Sequence, residues 1–457
     1  MSSVASDLSQ AGMSTVRRLL EQAPDTAVQS LESFLNGDAG AETPSDAVRD
    51  LIAAEREDRR LRNAALAPLA PVFAMSGGLT RLHLPAETPS LLWRAFKAAA
   101  PDALAEAART FAEARAQAAG RSLRDDPCAY PVLDDLCRML AGALLDRAAG
   151  YEDVFARFEG RPADLASLIL LLQLAPLLRV AVAGLPAWLT ARAGEYDLVI
   201  KDLVDVAAAQ DEQGGPVLME GILGHLDRPA HILRLISVVM DRPTDRLFAL
   251  CEYASFGERL LDDADAQIEI IRSFDARRGL EGGVAVASAS TAAHITLTEF
   301  EQNLVLAKEG VLGARIAAQR RSLALAMEMR LREVEGAVSN ALPAVSVRMS
   351  GKLMRGAADL ARPPEQRAVD RAVGLIALVE GCRPSAALAG YGAIRLKVLE
   401  TLDSWLESYT QDLLERLHKG GPNTERMRAF LDIAADFTAM VRGPEAAALI
   451  RRRVAAA

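Results

Sequence analysis

Aromatic residues supply only 5% of this 457-residue chain, too few for the aromatic and β-branched enrichment that marks a sheet protein. Cysteine is scarce as well. The four thiols, Cys128, Cys137, Cys251 and Cys382, form no Cys-x-x-Cys, and each stands among apolar, helix-forming residues. That pattern offers no thiolate zinc motif and predicts buried free thiols in a reducing compartment. Histidine occurs five times, at His83, His225, His231, His294 and His418. The nearest pair, His225 and His231, is six residues apart, whereas ligands sharing one helical face stand three or four apart.

The short motifs of nucleotide, metal and hydrolase chemistry are missing too. There is no Gly-x-Gly-x-x-Gly, His-Glu-x-x-His or EF-hand loop. Ser350-Gly351-Lys352 has Ser346 where a phosphate-binding loop needs glycine, and no strand is predicted ahead of it. Ser76-Gly77-Gly78 lies outside the nucleophile-elbow pattern and reads as a helix C-cap leading into a loop. The sequence therefore names no catalytic residue, no cofactor-binding residue and no metal ligand, and no cofactor is expected.

What is abundant is Ala, Leu, Arg and Glu, all good helix formers. Hydrophobic residues make up 51% of the chain against 25% charged, a balance suited to a packed interior and opposed to general disorder. The net charge of -9 and pI near 5.3 repel a phosphate backbone, so nucleic acid is not an expected partner. The compact basic run Arg451-Arg452-Arg453 reads as cations on the last turn of a helix. Only six of the 52 basic residues are lysine; with the abundant alanine this suggests the coding bias of a GC-rich, bacterial genome. The first residues carry no basic segment followed by an apolar core, so no secretory signal and a cytoplasmic location are expected.

The longest apolar run extends fourteen uncharged residues from Leu165 to Leu178 and continues to Leu189 with Arg179 as its one ion. A bilayer span needs about 20 apolar residues, and Pro176 and Pro186 interrupt this one. The run therefore predicts two buried helices, 162–175 and 176–184. Proline follows threonine or arginine at many other sites, including Pro44, Pro89, Pro229, Pro243, Pro363 and Pro384, and Pro101 precedes Asp102. Proline at a first helical position gives up no hydrogen bond, so these sites predict roughly twenty helical segments.

The expected fold is all-α: a multi-helix array of packed helical hairpins, either an irregular solenoid or a large bundle, in two helical blocks with little or no β structure. The N-terminal block is placed at 1–278 with its core around 162–190. A Gly/Ser/Ala-rich loop or linker is expected at 279–291. The C-terminal block, 292–457, is expected to hold long helices at about 297–334 and 388–417 and a terminal helical pair at 422–455. In the second long helix, Leu399, Leu402, Leu406, Tyr409 and Leu413 recur at spacings of three and four, a stripe suited to core packing, with self-association through 394–417 as the alternative.

Two constellations could carry chemistry. Glu415-x-x-His418 matches one half-motif of a di-iron bundle, but no second copy exists. Asp262-Asp263-Ala264-Asp265 and Asp134-Asp135 suggest the Asp-Asp-x-x-Asp magnesium motif of isoprenoid synthases, yet the shortened spacing turns the third carboxylate off the shared face. Both are expected to be solvated. Three functional readings follow: a non-enzymatic scaffold, adaptor or regulator that binds a protein partner; a peripheral membrane protein using residues 165–189; and an all-helical enzyme or small-molecule binder whose site would draw Asp262, Asp263 and Glu415 or His418 together. The first is favoured, because more amphipathic helices are present than a single catalytic bundle needs.

Overall fold

The chain was analysed as a computed structural model that describes residues 10–37, 46–73, 79–82, 84–117, 131–190, 192, 194–307, 310–348, 354–420 and 423–457. Among these residues run 21 α-helices and one two-stranded antiparallel hairpin. The protein is an all-α multi-helix array. Two compact units divide it, Met1–Val239 and Met240–Ala457. The division thus falls well before the expected linker at 279–291.

The N-terminal unit is organised around one helix, Pro162–Thr190, which packs against helices Pro131–Leu145, Asp197–Gln210 and Gly214–Leu223. It is apolar on every side, as an interior helix must be, and Leu168, Leu171, Leu172, Leu174, Ala175 and Leu178 are buried. The expected break into two helices does not occur: Pro176 and Pro186 both lie inside the helix. A proline within a helix withholds one N–H from the carbonyl four residues back, here Leu172 and Val182. The surrounding apolar packing outweighs those two missing bonds.

Arg179, the lone ion of the run, is buried. Its Nη1 and Nη2 donate to the carbonyls of Ala64 and Ala65, each at 3.1 Å, and its Nε donates to Asp134 at 3.1 Å. Ala64 and Ala65 lie in the last turn of helix Asp46–Leu66, where carbonyls have no onward helical partner, and Pro68 has no N–H to offer Ala64. Arg179 supplies the missing donors. The same device recurs within this unit: Arg59 Nη2 donates to Leu20 O at 2.6 Å at the end of helix Gln10–Gln22, and Arg234 Nη1 to Leu189 O at 3.0 Å at the end of Pro162–Thr190.

The C-terminal unit begins with helices Asp245–Leu250 and Ala254–Arg272, which the sequence reading had assigned to the first block. They belong here because Ala254–Arg272 is bonded along its length to helix Val311–Ala341. Gln319 Nε2 donates to Leu261 O at 2.8 Å, and Arg330 reaches the terminal carbonyls of Ile271, at 3.1 Å, and Arg272. The expected helix at 297–334 is split between Gly279–Asn303 and Val311–Ala341. Between them Val305 pairs with the segment before Asp245, accepting from Asp245 N at 3.1 Å and donating to Pro243 O at 3.0 Å.

Residues 279–291, expected as a loop or linker, form the first half of helix Gly279–Asn303. Their small side chains serve close packing. A Cβ built on Gly283 would overlap the Gly374 carbonyl, and one on Gly374 would meet the carbonyl oxygens of Gly279 and Ala276 at 2.8 and 2.9 Å. Helix Gln366–Gly381 therefore crosses Gly279–Asn303 backbone against backbone. Beside this crossing Tyr391 OH lies 2.7 Å from Ser290 Oγ and 2.8 Å from Ser385 Oγ, all three buried.

The remaining helices of this unit are Gly392–Lys419, Thr424–Arg442 and Pro444–Ala456. Leu402, Leu406, Tyr409 and Leu413 are buried, where Gly392–Lys419 packs on Val311–Ala341 and Thr424–Arg442; this stripe is occupied within the chain. The hairpin pairs Ala344–Arg348 with Met354–Ala358. A strand thus does precede Ser350, contrary to expectation, although Ser350-Gly351-Lys352 itself lies outside the described residues. Asp412 accepts from Ala358 N at 2.9 Å, and Arg416 donates to Ala358 O at 2.9 Å, fixing the second strand to the long helix.

Two outcomes test this account by chemical denaturation. Gly283→Ala destabilises the C-terminal unit by about 1–3 kcal/mol, the range for overpacking, whereas Gly336→Ala, in Val311–Ala341 with open space at its Cβ position, stabilises it by about 0.5–1 kcal/mol. Arg179→Lys destabilises the N-terminal unit by about 1–3 kcal/mol, because one ammonium cannot span two carbonyls and leaves a buried acceptor unpaired.

Candidate functional site

Most of the chemically suggestive residues are dispersed. Asp262 and Asp265 are exposed and share Arg315, at 2.6 and 3.2 Å, with Glu258 at 2.9 Å. Asp263 accepts from Gln267 at 3.2 Å. These carboxylates tie Ala254–Arg272 to Val311–Ala341 on a solvent face. Glu415 and His418 are exposed near the end of Gly392–Lys419; Glu415 accepts from Gln411 at 3.2 Å, and His418 Nδ1 lies 2.8 Å from Leu414 O, so the ring serves a helix-terminal carbonyl. Asp134 supports Arg179, and Asp135 pairs with Arg138 at 2.8 Å. None of Asp262, Asp263, Glu415 and His418 lines a principal cavity among the described residues. Among the described residues, no three His, Cys, Asp or Glu groups are placed to hold a metal ion.

The thiols are structural where described. Burial pushes Cys137 up to about 12 and Cys382 up to about 11, which keeps both protonated, and the Cys137 thiol donates to Ala65 O at 3.3 Å. Cys128, His83 and Ser76-Gly77-Gly78 lie outside the described residues. Arg451 pairs with Asp436 on the exposed face of the last helix.

Two surfaces remain. The first is a cavity of about 930 Å³ in the N-terminal unit, beside the second half of Pro162–Thr190, which His225 and His231 both line. Their six-residue separation had spoken against a common site on one helix. The structure places them instead on the turn after Gly214–Leu223 and in the 3-10 turn Pro229–His231, from which both reach one cavity.

The second surface is a groove of about 250 Å³ in the C-terminal unit, between Val311–Ala341 and Gly392–Lys419. Leu331, Val334 and Val338 form one wall, and Ile394, Val398 and Trp405 the other. The first set is spaced three and four apart, and the second, with Leu402, four, four and three, as on one helical face. Arg332, Glu335 and Lys397 stand among the lining residues as its ions. Leu325 and Met329 of Val311–Ala341 are each 61% exposed, but neither lines the groove. Within the groove wall, the Trp405 indole N–H is shielded from solvent and has no hydrogen-bond partner among the described residues. The stripe periodicity had picked out these helices as packing elements. It could not tell that one edge of their contact stays open, because that depends on how far the two helices diverge.

His294 differs from the other histidines in being buried with its Nδ1 unpartnered. Burial, with the Arg320 guanidinium nearby, holds it below its ordinary value of 6.5, against an opposing pull from Glu301. The folded chain thus keeps His294 neutral where the unfolded chain takes up a proton. Stability is full above the unfolded value and falls as pH drops from there towards the folded one. Thermal melts should therefore show a decline in Tm on acidification below about pH 6.5, and His294→Leu should flatten that part of the profile.

No protein family, curated protein or solved structure matches the chain.

Proposed function

We propose that the chain is a non-enzymatic all-helical interaction protein, a scaffold, adaptor or regulator, whose C-terminal groove holds an amphipathic helix of a protein partner. The observation that carries this reading is Trp405: an aromatic side chain lining an apolar groove, with a desolvated indole N–H that has no partner among the described residues. A buried donor without an acceptor costs about 1–3 kcal/mol, and tryptophan is the residue type most often found at the energetic centre of protein interfaces. A helix laid into the groove would cover the half-buried Ile394, Val398 and Trp405 with its apolar face.

The other two readings have less support. Membrane contact through 165–189 would require the buried leucines of Pro162–Thr190 to leave the core they form, although by length and composition this helix could cross a bilayer. The enzyme reading that relied on Asp262, Asp263 and His418 lacks a common cleft among the described residues.

The test compares tagged wild-type chain with Ile394→Glu/Val398→Glu, two half-buried residues of the groove wall, with circular dichroism to confirm the fold of the variant. The wild type should retain a partner at one-to-one stoichiometry, the double variant should lose it, and the Trp405 fluorescence maximum should shift on addition of the purified partner. An unchanged set of retained proteins in the double variant would overturn the proposal.

A further inference from the structure

The cavity beside Pro162–Thr190 is independent of the groove and has a different chemistry. One wall is a continuous helical stripe, Val182, Ala183, Pro186 and Leu189, extended by Leu185, and Leu226 faces it. Among the described residues the ionisable lining is lopsided: Arg179, Arg228, His225 and His231 against the single carboxylate of Asp227. Its volume of about 930 Å³ lies within the range of about 300–1,000 Å³ typical of pockets that enclose a small organic molecule.

The donors are held in place from outside the cavity. Arg179 is fixed by Ala64 O, Ala65 O and Asp134. Those three bonds use three of the five N–H groups of a guanidinium, so one on each terminal nitrogen is left on a residue that lines the cavity. His225 Nε2 lies 2.6 Å from Pro68 O; a carbonyl only accepts, so Nε2 carries the proton and the ring orientation is set. Arg228 is exposed and forms no ion pair among the described residues. Pro186, within the stripe, withholds an N–H from Val182 O.

We infer that this cavity binds a small amphipathic carboxylate, its apolar body along the Val182–Leu189 stripe and its carboxylate held by Arg179 and Arg228. An apolar amine would meet two guanidinium groups, and a neutral alcohol would leave their N–H groups without a charged acceptor. A carboxylate satisfies both, and charge-assisted bonds of this kind are about twice as strong as neutral ones.

Calorimetric titration of the full chain with decanoate, decanol and decyltrimethylammonium holds the tail constant and changes the head. Decanoate should bind at one site, with decanol at least about tenfold weaker, the loss of roughly one charge-assisted bond, and the ammonium weaker still. 2-Naphthoate in a parallel titration distinguishes an aromatic from an alkyl body. Two variants locate the site. Arg228→Glu, at an exposed residue with no ion pair to lose among the described residues, should weaken decanoate by about tenfold or more and spare decanol; Ala183→Trp, which fills the stripe, should abolish both. Circular dichroism of each variant confirms the fold, and if Ala183→Trp fails to fold the Arg228→Glu result decides. Equal binding of the three heads, no binding of decanoate or 2-naphthoate, or decanoate binding unaltered in Arg228→Glu would overturn the inference.

Discussion

Helix ends buried inside a protein must find donors for their last carbonyls, and in this chain arginine provides them. Arg59 serves the helix that ends at Gln22, Arg179 the one that ends at Leu66, Arg234 the one that ends at Thr190, Arg330 the one that ends at Arg272, and Arg395, through Val379 O at 2.6 Å, the one that ends at Gly381. Each comes from a different helix, so each cap is also a tertiary contact. The planar fork of five donors suits this task; a lysine ammonium is a compact point charge whose three donors have no such fixed planar geometry. The shortage of lysine, which composition alone ascribes to coding bias, thus has a structural use.

The second constraint is distance. A chain so poor in aromatic residues has few bulky side chains with which to fill the space between helices, and the C-terminal unit brings its helices together instead. Gly283 lies against Gly374, and Gly381 against Ala287, with backbone and methyl atoms in direct contact. Close crossings of this kind need small residues at fixed helical spacing. In one dimension the same residues look like a flexible linker, because composition records their size and not their partner. The misplacement of the domain division has the same origin: a Gly/Ser/Ala-rich stretch was read as a boundary where it is the centre of a unit.

The open edges of the packing are where binding is proposed. The groove beside Trp405 lies along the contact between two helices of the C-terminal unit, and the cavity beside Pro186 along the interior helix of the N-terminal unit. Neither is built from residues close in sequence. His225 and His231 were visible as a pair, but on a helix they would face apart; only the turn and 3-10 segment that carry them bring both to one cavity. Trp405 was visible as a broadening of an apolar face, and its missing hydrogen bond could not be.

The sequence by itself determined the helices. Proline at helix starts, as at Pro101 and Pro162, together with apolar periodicity and the scarcity of β-branched and aromatic runs, specifies an all-α chain, since those are local preferences of the backbone; after Pro243 and Pro363 the helices begin only at Asp245 and Gln366. The apolar run at 165–189 likewise marked the core of the N-terminal unit. Tertiary structure alone decided that Pro176 and Pro186 remain inside one helix, that 279–291 is helical, and that Arg179 faces two carbonyls and a carboxylate. In each case the local preference was weak or adverse, and packing against a distant segment outweighed it.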